Sequence, residues 1–197
     1  MEEQPTSHFF AYLARMKLIN RWGLMRNTLT ENIQEHSLQV AMVAHGLAII
    51  KNEFFGGQVD QDKVLALAVF HDAGEVITGD LATPIKYFNP EIQLAYQSIE
   101  KVAKEKLLEL LPSEFKRSYK NYFLADEKDA ELWQLVKAAD KICAYLKCLE
   151  ELKSGNGEFS KAKQVIEKEL QANPPPEVEY FLKVFVPSFM LTIDELN

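Results

Sequence analysis

Cysteine is scarce in this chain of 197 residues, which contains only Cys143 and Cys148. Both fall in a segment with helical periodicity, where a rise of about 1.5 Å per residue places their Cα atoms beyond the roughly 7 Å that a disulfide spans. We therefore expect two free thiols, which are typical of proteins in a reducing compartment.

Long apolar runs and an excess of basic residues are also lacking. No apolar stretch approaches the about 18 residues of a transmembrane helix. The N-terminal sequence MEEQPTSHFF lacks the basic start and apolar run of a signal peptide. We expect a cytoplasmic protein with no membrane association.

The net charge of −7 argues against a nucleic-acid polymer as partner, because such binding needs clustered Lys and Arg. A single mononucleotide is not excluded, since one arginine and a metal ion can neutralise it.

Strand-type alternation is absent as well, and helical periodicity extends along nearly the whole chain. We predict an all-α fold, a single-domain helical bundle spanning residues 1–197. Gly, Pro and Asn residues in the segment 78–90 predict a loop with at most one short turn. The predicted helices cover 7–20, 32–51, 60–76, 91–111, 113–124, 128–153, 158–171 and 177–186.

Two histidines and two aspartates interrupt helix faces that otherwise resemble a core. His36 lies one turn before an apolar stripe. The segment 64–70 is apolar on every side, which predicts a buried central helix, and it runs directly into His71 and Asp72. Asp140 lies at the margin of the buried face of the helix 128–153. The stripe comprises Val40, Val43 and Leu47, and that buried face comprises Leu132, Leu135, Val136, Ala139, Ile142, Cys143 and Leu146.

Each of these polar residues has an ordinary interpretation when taken alone: a hydrogen-bonded core histidine, a helix-end pair, or an aspartate paired with lysine. Together they need a common explanation, because unpaired buried charge costs several kcal/mol. One divalent cation supplies it, since neutral imidazoles and ionised carboxylates are suitable ligands. His45 lies about 180° around the helix from His36, and His8 is near the N-terminus, which favours a site for one ion.

The order His, then His-Asp, then Asp on three helices resembles the HD superfamily of metal-dependent phosphohydrolases. The surrounding sequence is similar, over almost the whole chain, to the bacterial 5′-deoxynucleotidase family. This resemblance implies an all-α bundle of the HD-domain type, a homodimer, and one divalent transition metal ion such as cobalt or manganese. It implies that deoxyribonucleoside 5′-monophosphates are hydrolysed to deoxynucleoside and phosphate by metal-activated water. The segments that carry it are FFAYLARMKLINRW at 9–22, ENIQEHSLQVAMVAH at 31–45, HDAGEVITGDLATPIKYFN at 71–89, KAADKICAYLKCLEEL at 137–152 and VFVPSF at 184–189.

The resemblance also implies roles for individual residues. The matching metal ligands are His36, His71, Asp72 and Asp140. The matching catalytic residues are Glu75, Asp80 and Arg21, of which Arg21 orients the phosphate. The matching substrate-binding residues are Arg21, Trp22, His36, Asp72, Asp80, Leu81, Ala82, Thr83 and Asp140. The chain departs from the family pattern at two positions, with Ala82 where the family has Pro and Gly74 where it has Ser.

The acid and base roles stay open at this point. Glu75 shares a helix face with His71 and Asp72 if their helix persists, which places it beside an attacking water. Asp80 is suited to protonate the leaving oxygen, although the two roles can be exchanged. Glu75 can equally orient a histidine ligand, and Asp80 can be a cap or turn residue. Arg21 can also be a surface arginine that packs on the neighbouring indole.

Two other functions compete with the 5′-deoxynucleotidase. One is an HD hydrolase that acts on a nucleoside triphosphate or an alarmone, which usually needs more cationic residues than this segment supplies. The other is a non-catalytic helical dimer that senses nucleotide. The acidic pair Glu75 and Asp80 beside a complete set of predicted ligands argues against that second function.

Overall fold

The structure is a computed structural model that describes residues 6–86, 88–124 and 126–196, without the side chain of Thr83. It is built from α-helices joined by short turns, and its only β-type contact within those residues is an isolated bridge between Asn20 and Asn32. The helices are α1 Phe9–Leu13, α2 Ile33–Phe55, α3 Gln61–Phe70, α4 Glu75–Thr78, α5 Thr83–Lys86, α6 Pro90–Glu109, α7 Ser113–Phe123, α8 Ala130–Lys153, α9 Ser160–Gln171 and α10 Pro176–Val184. Short 3₁₀ turns cover Ala14–Leu18, Glu127–Asp129, Gly157–Phe159, Val186–Met190 and Ile193–Glu195.

Side-chain caps determine where the two central helices begin. Asn32 Oδ1 accepts hydrogen bonds from the backbone N–H groups of Gln34 and Glu35 at 3.1 and 3.0 Å, which confirms the predicted start of α2. Asp60 caps α3 in the same way. The end of α2 was predicted four residues too early, since the helix continues to Phe55 and stops at Gly56, whose φ of 68° is left-handed.

The larger core lies between α2, α3 and α8, with α9 and α10 packed outside. The predicted buried faces of α2 and α8 are confirmed, because every apolar residue assigned to them is buried. The prediction that 64–70 is buried all round is wrong, since Leu65 is 37% exposed. The fully buried residues of α3 are Val64, Leu67 and Ala68, which lie on one side of the helix.

In a second apolar cluster, residues of α1, α6 and α7 pack against the segment that follows α3. Ala73, in the middle of that segment, has no exposed surface. The apolar side chains around it therefore anchor the turn that carries His71 and Asp72. The cluster comprises Phe9, Met16, Ile33, Ala73, Leu107, Leu108, Leu111 and Phe123.

The predicted helix 60–76 is interrupted. His71 Nδ1 lies 2.7 Å from the carbonyl oxygen of Ala68, the oxygen that an uninterrupted helix would offer to the N–H of Asp72. The chain turns tightly instead, with the N–H of Ala73 donating to the carbonyl of Phe70 at 3.1 Å. The short α4 follows at Glu75, and α5 occupies part of the segment predicted to be a loop.

The predicted helix 7–20 is also too long. It ends in a 3₁₀ turn at Leu18, because the next residues pair with a distant segment instead of continuing the helix. The N–H of Ile33 donates to the carbonyl of Ile19 at 3.0 Å, and the N–H of Arg21 donates to the carbonyl of Glu31 at 2.8 Å. These bonds close the segment 20–32 into a loop over the N-terminus of α2.

A buried carboxylate ties that loop to α8. Glu151, which is 1% exposed, accepts hydrogen bonds from the N–H and hydroxyl of Thr28 at 2.9 and 2.7 Å and from Asn156 Nδ2 at 2.8 Å. Lys147 pairs with Glu151 and donates to the carbonyl of Leu29. The loop is therefore held by a charge-assisted network.

Two smaller predictions can be compared directly with the structure. Cys143 and Cys148 are both free and buried, as predicted. No helix in the described part of the chain combines the length and the apolar character needed to cross a bilayer.

We predict that Glu151→Gln destabilises the protein by about 3 kcal/mol at pH 7, because it breaks a buried ion pair. Burial alone would raise the pKa of Glu151, but hydrogen bonds from Lys147, Thr28 and Asn156 hold it well below its usual range. The stabilisation is therefore complete above the unfolded-state pKa of about 4.3 and is lost as the pH falls toward the folded-state value. Urea unfolding at pH 7 and below pH 4 measures both effects.

The control is Glu158→Gln, since Glu158 is exposed and its replacement should change stability by less than about 0.5 kcal/mol. Equal losses in the two variants, or a loss for Glu151→Gln that grows in acid, would contradict the prediction.

Candidate metal and substrate site

The structure brings the four predicted metal ligands together from three places in the chain. The tight turn after α3 presents His71 and Asp72 toward the start of α2 and the middle of α8. His36 Nε2 lies 3.0 Å from Asp140 Oδ1 and 3.8 Å from Asp72 Oδ2. His71 Nε2 lies 3.0 Å from the same Asp72 oxygen. His36 is fully buried, whereas the Asp140 side chain is 43% exposed, so the cluster opens to solvent on the α8 side.

The donor atoms fit a cation. Because His71 Nδ1 donates to the carbonyl of Ala68, a neutral imidazole carries its lone pair on Nε2, which is buried 3.0 Å from a carboxylate oxygen of Asp72. Within the described residues, His36, His71 and Asp72 each offer a ligand atom, and these three atoms all lie within 4.8 Å of one another. Nitrogen and carboxylate-oxygen donors at this spacing suit a divalent ion.

Arg21 supplies positive charge beside this cluster. Its Nη1 lies 3.4 Å from Asp72 Oδ2, its Nη2 lies 4.0 Å from Asp140 Oδ1, and its Nε lies 3.2 Å from Glu31 Oε2. Burial alone would lower the pKa of Arg21, but the carboxylates of Asp140, Asp72 and Glu31 raise it overall. The guanidinium therefore faces the predicted metal ligands and does not pack on the neighbouring indole.

Trp22 has an unusual backbone conformation for a large residue, with a left-handed φ of 57°. Its indole packs on Phe159 with ring centroids 5.2 Å apart, and its Nε1–H donates to Glu31 Oε2 at 3.2 Å. Its backbone hydrogen-bonds the carboxylate of Asp80. The strained turn thus joins the Arg21 segment to the loop after α4.

The two acidic residues of that region lie in a poorly solvated environment. Glu75 is 9% exposed, and its Oε2 has no hydrogen-bond partner. Burial, followed by the charges of Asp72 and Asp80, raises the pKa of Glu75 to about 9 in the protein without a bound ion. Burial also raises the pKa of Asp80, with Arg21 opposing the effect. Glu75 begins α4 and does not continue α3, so the helix face that we expected it to share with His71 does not exist.

The remaining predicted substrate residues follow α4: Leu81 and Ala82 precede α5, and Thr83 begins it. Leu81 and Ala82 are half-buried, and the side chain of Thr83 lies outside the described atoms. Gly74 occupies the N-cap of α4 and not a helix interior, where glycine would cost about 1 kcal/mol relative to alanine. A Cβ at Gly74 would lie 3.2 Å from Lys104 Cγ.

The sequence analysis missed two residues of this region. Glu31 contacts three of the predicted functional residues, and nothing in the local pattern distinguishes it from the other acidic residues near the α2 cap. Lys104 projects from α6, with Nζ 6.0 Å from the Trp133 ring. Burial lowers the pKa of Lys104, and Asp72 is the carboxylate that most opposes this effect. Only the packing of α6 against the turn after α3 brings Lys104 here.

A family model described as 5′-deoxynucleotidase YfbR-like matches residues 8–189. This chain belongs to that family. A Shewanella oneidensis protein named 5′-deoxynucleotidase is 55% identical over 191 residues, covering 97% of this chain and 98% of the relative. A Yersinia pestis protein of the same name is 56% identical over 196 residues, covering 97% of both chains. The resemblance inferred from the sequence is confirmed.

Solved structures place this YfbR-like protein among the HD-domain phosphohydrolases by fold. One from Listeria innocua has a TM-score of 0.80 at 21% identity and covers 94% of this chain and 90% of its own. A cyanophage S-2L HD phosphohydrolase, described as bound to dA and one catalytic Zn²⁺ ion, has a TM-score of 0.62 at 19% identity and covers 96% and 98%. The predicted all-α HD-domain fold is confirmed.

We predict that His71 of this YfbR-like protein carries its proton on Nδ1 when zinc is added. The hydrogen bond to the Ala68 carbonyl requires that tautomer, which directs the Nε2 lone pair into the cluster. Long-range ¹H–¹⁵N correlation spectra of the imidazoles measure this directly. His8, which is exposed and precedes α1, is the internal control and should not change on zinc addition. Protonation of His71 on Nε2 alone would contradict the prediction.

Proposed function

We propose that this protein is a metal-dependent 5′-deoxynucleotidase that hydrolyses deoxyribonucleoside 5′-monophosphates to deoxynucleoside and phosphate. The observation that carries the proposal is the position of Arg21, whose guanidinium lies 3.4 Å from Asp72 inside the imidazole–carboxylate cluster. A cation site and an arginine side by side match the charge of one phosphate group. The names of the relatives that match over nearly the full chain support the same reaction.

The proposed ligands are His36, His71, Asp72 and Asp140. When bound, the ion supplies Lewis acidity that polarises the phosphoryl group and lowers the pKa of water. The imidazoles and carboxylates provide nitrogen and oxygen donors, which suit cobalt, manganese or zinc. We propose cobalt or manganese as the metal, although the cyanophage neighbour of similar fold is described with zinc.

Arg21 is proposed to orient the phosphate. Its planar guanidinium can donate two parallel hydrogen bonds to non-bridging oxygens, which fixes the phosphorus relative to the metal ligands. Asp72 and Asp140 hold the guanidinium in place before substrate arrives, so less side-chain entropy is lost on binding.

Glu75 and Asp80 are proposed to move protons during the reaction. Burial raises both pKa values, that of Glu75 to about 9, so the Glu75 carboxyl group carries a proton at neutral pH in the protein without an ion. We assign Glu75, whose Oε2 lacks a partner, to the attacking water. Asp80, which is held by the Trp22 backbone, is assigned to the leaving 5′-oxygen.

The sugar and base are proposed to bind between Trp22 and the segment Asp80-Leu81-Ala82-Thr83. His36, Asp72 and Asp140 are proposed to contact the phosphate from the opposite side. The Trp22 indole is held by Glu31 and Phe159, so it forms a rigid wall. Such a wall can exclude a 2′-hydroxyl by crowding it or by leaving it without a hydrogen-bond partner.

Three further properties belong to this proposal. We propose that residues 1–197 form one domain, since α2 contributes to both apolar clusters and Tyr122 packs against both. We propose a homodimer, for which the exposed Leu38 and Met42, one turn apart on α2, offer apolar surface. We propose a cytoplasmic location on the basis of the two free cysteines.

We predict phosphate release from deoxyribonucleoside 5′-monophosphates in the presence of cobalt or manganese, and loss of that activity with a chelator. Asp140→Asn should weaken cobalt binding more than the about 10- to 100-fold typical of an outer-shell change. It should also lower kcat/KM for dAMP by at least about 100-fold. Calorimetric titration and a phosphate-release assay measure the two effects.

The matched control is Asp62→Asn, which changes an exposed aspartate of α3 and should leave both quantities unaltered. Two outcomes would contradict the proposed reaction. Phosphate release mainly from triphosphates or alarmones would favour the other hydrolase, and nucleotide binding without turnover would favour the non-catalytic sensor.

We predict that Trp22 determines the preference for deoxyribose. The wild-type protein should prefer dAMP over AMP by about 10- to 100-fold in kcat/KM, the range that a sterically selective pocket achieves. Trp22→Leu should bring the ratio close to one, whereas Trp133→Leu should preserve it. Steady-state kinetics with both nucleotides provide the measurement, and equal values in the wild-type protein would rule out the wall.

A further inference from the structure

Glu31 contacts a predicted metal ligand, the predicted phosphate-binding arginine and the predicted sugar wall at once. Its Oε2 accepts a hydrogen bond from Trp22 Nε1 at 3.2 Å and forms an ion pair with Arg21, whose Nε lies 3.2 Å away. Its Oε1 lies 3.5 Å from His36 Nδ1. The side chain is 12% exposed, so these contacts form in a largely desolvated environment where a charge-assisted hydrogen bond is strong.

The two ring nitrogens of His36 face opposite carboxylates. Nε2 points into the cluster, 3.0 Å from Asp140 Oδ1, while Nδ1 points toward Glu31. A proton on Nδ1 leaves the Nε2 lone pair free for a metal ion. A carboxylate behind a histidine ligand favours that tautomer and makes the imidazole a better donor.

Arg21 is oriented by the same carboxylate. The ion pair between Nε and Glu31 holds one side of the guanidinium, while Nη1 lies 3.4 Å from Asp72 Oδ2 and Nη2 lies 4.0 Å from Asp140 Oδ1. The backbones are paired as well, since the N–H of Arg21 donates to the carbonyl of Glu31 at 2.8 Å. Replacing the Glu31 side chain therefore leaves the backbone contact in place.

The loop that carries Glu31 is itself held in place. Glu151 and Lys147 lock the preceding residues Thr28 and Leu29 onto α8, which limits the positions that Glu31 can adopt.

We propose that Glu31 is a positioning residue that couples the metal ligand His36 to the phosphate-binding Arg21 and to Trp22 through a single carboxylate. The inference rests on the proposed function for the roles of Arg21 and Trp22, while its metal-binding part rests on the His36 contact alone. Glu31 touches neither the reacting atoms nor the ion, so its effect is transmitted through its three neighbours.

The test compares Glu31→Gln with Glu35→Gln, an exposed glutamate one turn along at the start of α2. Glu31→Gln should weaken cobalt binding to the metal-free protein by about 10- to 100-fold. It should also raise KM for dAMP by about 10-fold, because Arg21 loses its orientation. Glu35→Gln should change neither value. Calorimetric titration with cobalt chloride alone needs no substrate and no turnover.

A structural role alone would not produce the remaining readouts. In the zinc-loaded wild-type protein, imidazole ¹⁵N spectra should show His36 protonated on Nδ1. The His36 Nδ1 signal and the Trp22 indole proton signal should both shift in Glu31→Gln.

In an Arg21→Ala background, Glu31→Gln should still weaken cobalt binding but should raise KM no further. Glu31→Asp, which keeps the charge, should recover part of the cobalt affinity and serves as the test if Glu31→Gln does not fold.

Wild-type cobalt affinity in a folded Glu31→Gln or Glu31→Asp variant, with His36 signals unchanged, would overturn the inference. So would equal weakening by Glu35→Gln. Absence of deoxynucleotidase activity in the wild-type protein would refute the proposed function instead, and the cobalt titration and imidazole spectra would still decide whether Glu31 supports His36.

Discussion

The concentration of carboxylates around Arg21 is the constraint on which the rest of the site depends. Asp140, Asp72, Glu31 and Asp80 all act on its guanidinium, in a region where burial penalises every charge. One arginine does not neutralise four carboxylates. A bound cation would offset this negative charge, and in the proposed function the metal ligands and the phosphate-binding arginine therefore lie side by side.

Rigidity around the charges comes from two kinds of anchor. Apolar packing holds the turn after α3, where Ala73 is fully buried in the second cluster. Polar pairing holds the loop 20–32, where Glu151 and Lys147 of α8 satisfy its backbone groups. The strained φ of Trp22 persists between these anchors, because the surrounding contacts over-determine its position. The predicted metal ligands and the predicted substrate residues are therefore supported by different parts of the chain.

Two failures of the sequence predictions share a cause. Helical periodicity at 7–20 and 60–76 is genuine, but in each case a competing hydrogen bond ends the helix early. Asn20 and its neighbours pair with the residues before α2, and His71 takes the Ala68 carbonyl for its side chain. Neither competitor is visible in a local pattern, because one partner is distant in the chain and the other depends on a ring orientation.

The sequence by itself determined the class of the fold, the buried faces of α2 and α8, the α2 cap at Asn32 and the candidates for metal binding. These follow from short-range periodicity and from polar residues at apolar positions. Only the tertiary structure decided that Glu31 contacts His36, Arg21 and Trp22 together, and that Lys104 lies beside the turn after α3. Such contacts depend on how helices pack and on how loops close between residues that are distant in the chain. The sequence pattern around a charged residue is the same whether its side chain faces solvent or another charge.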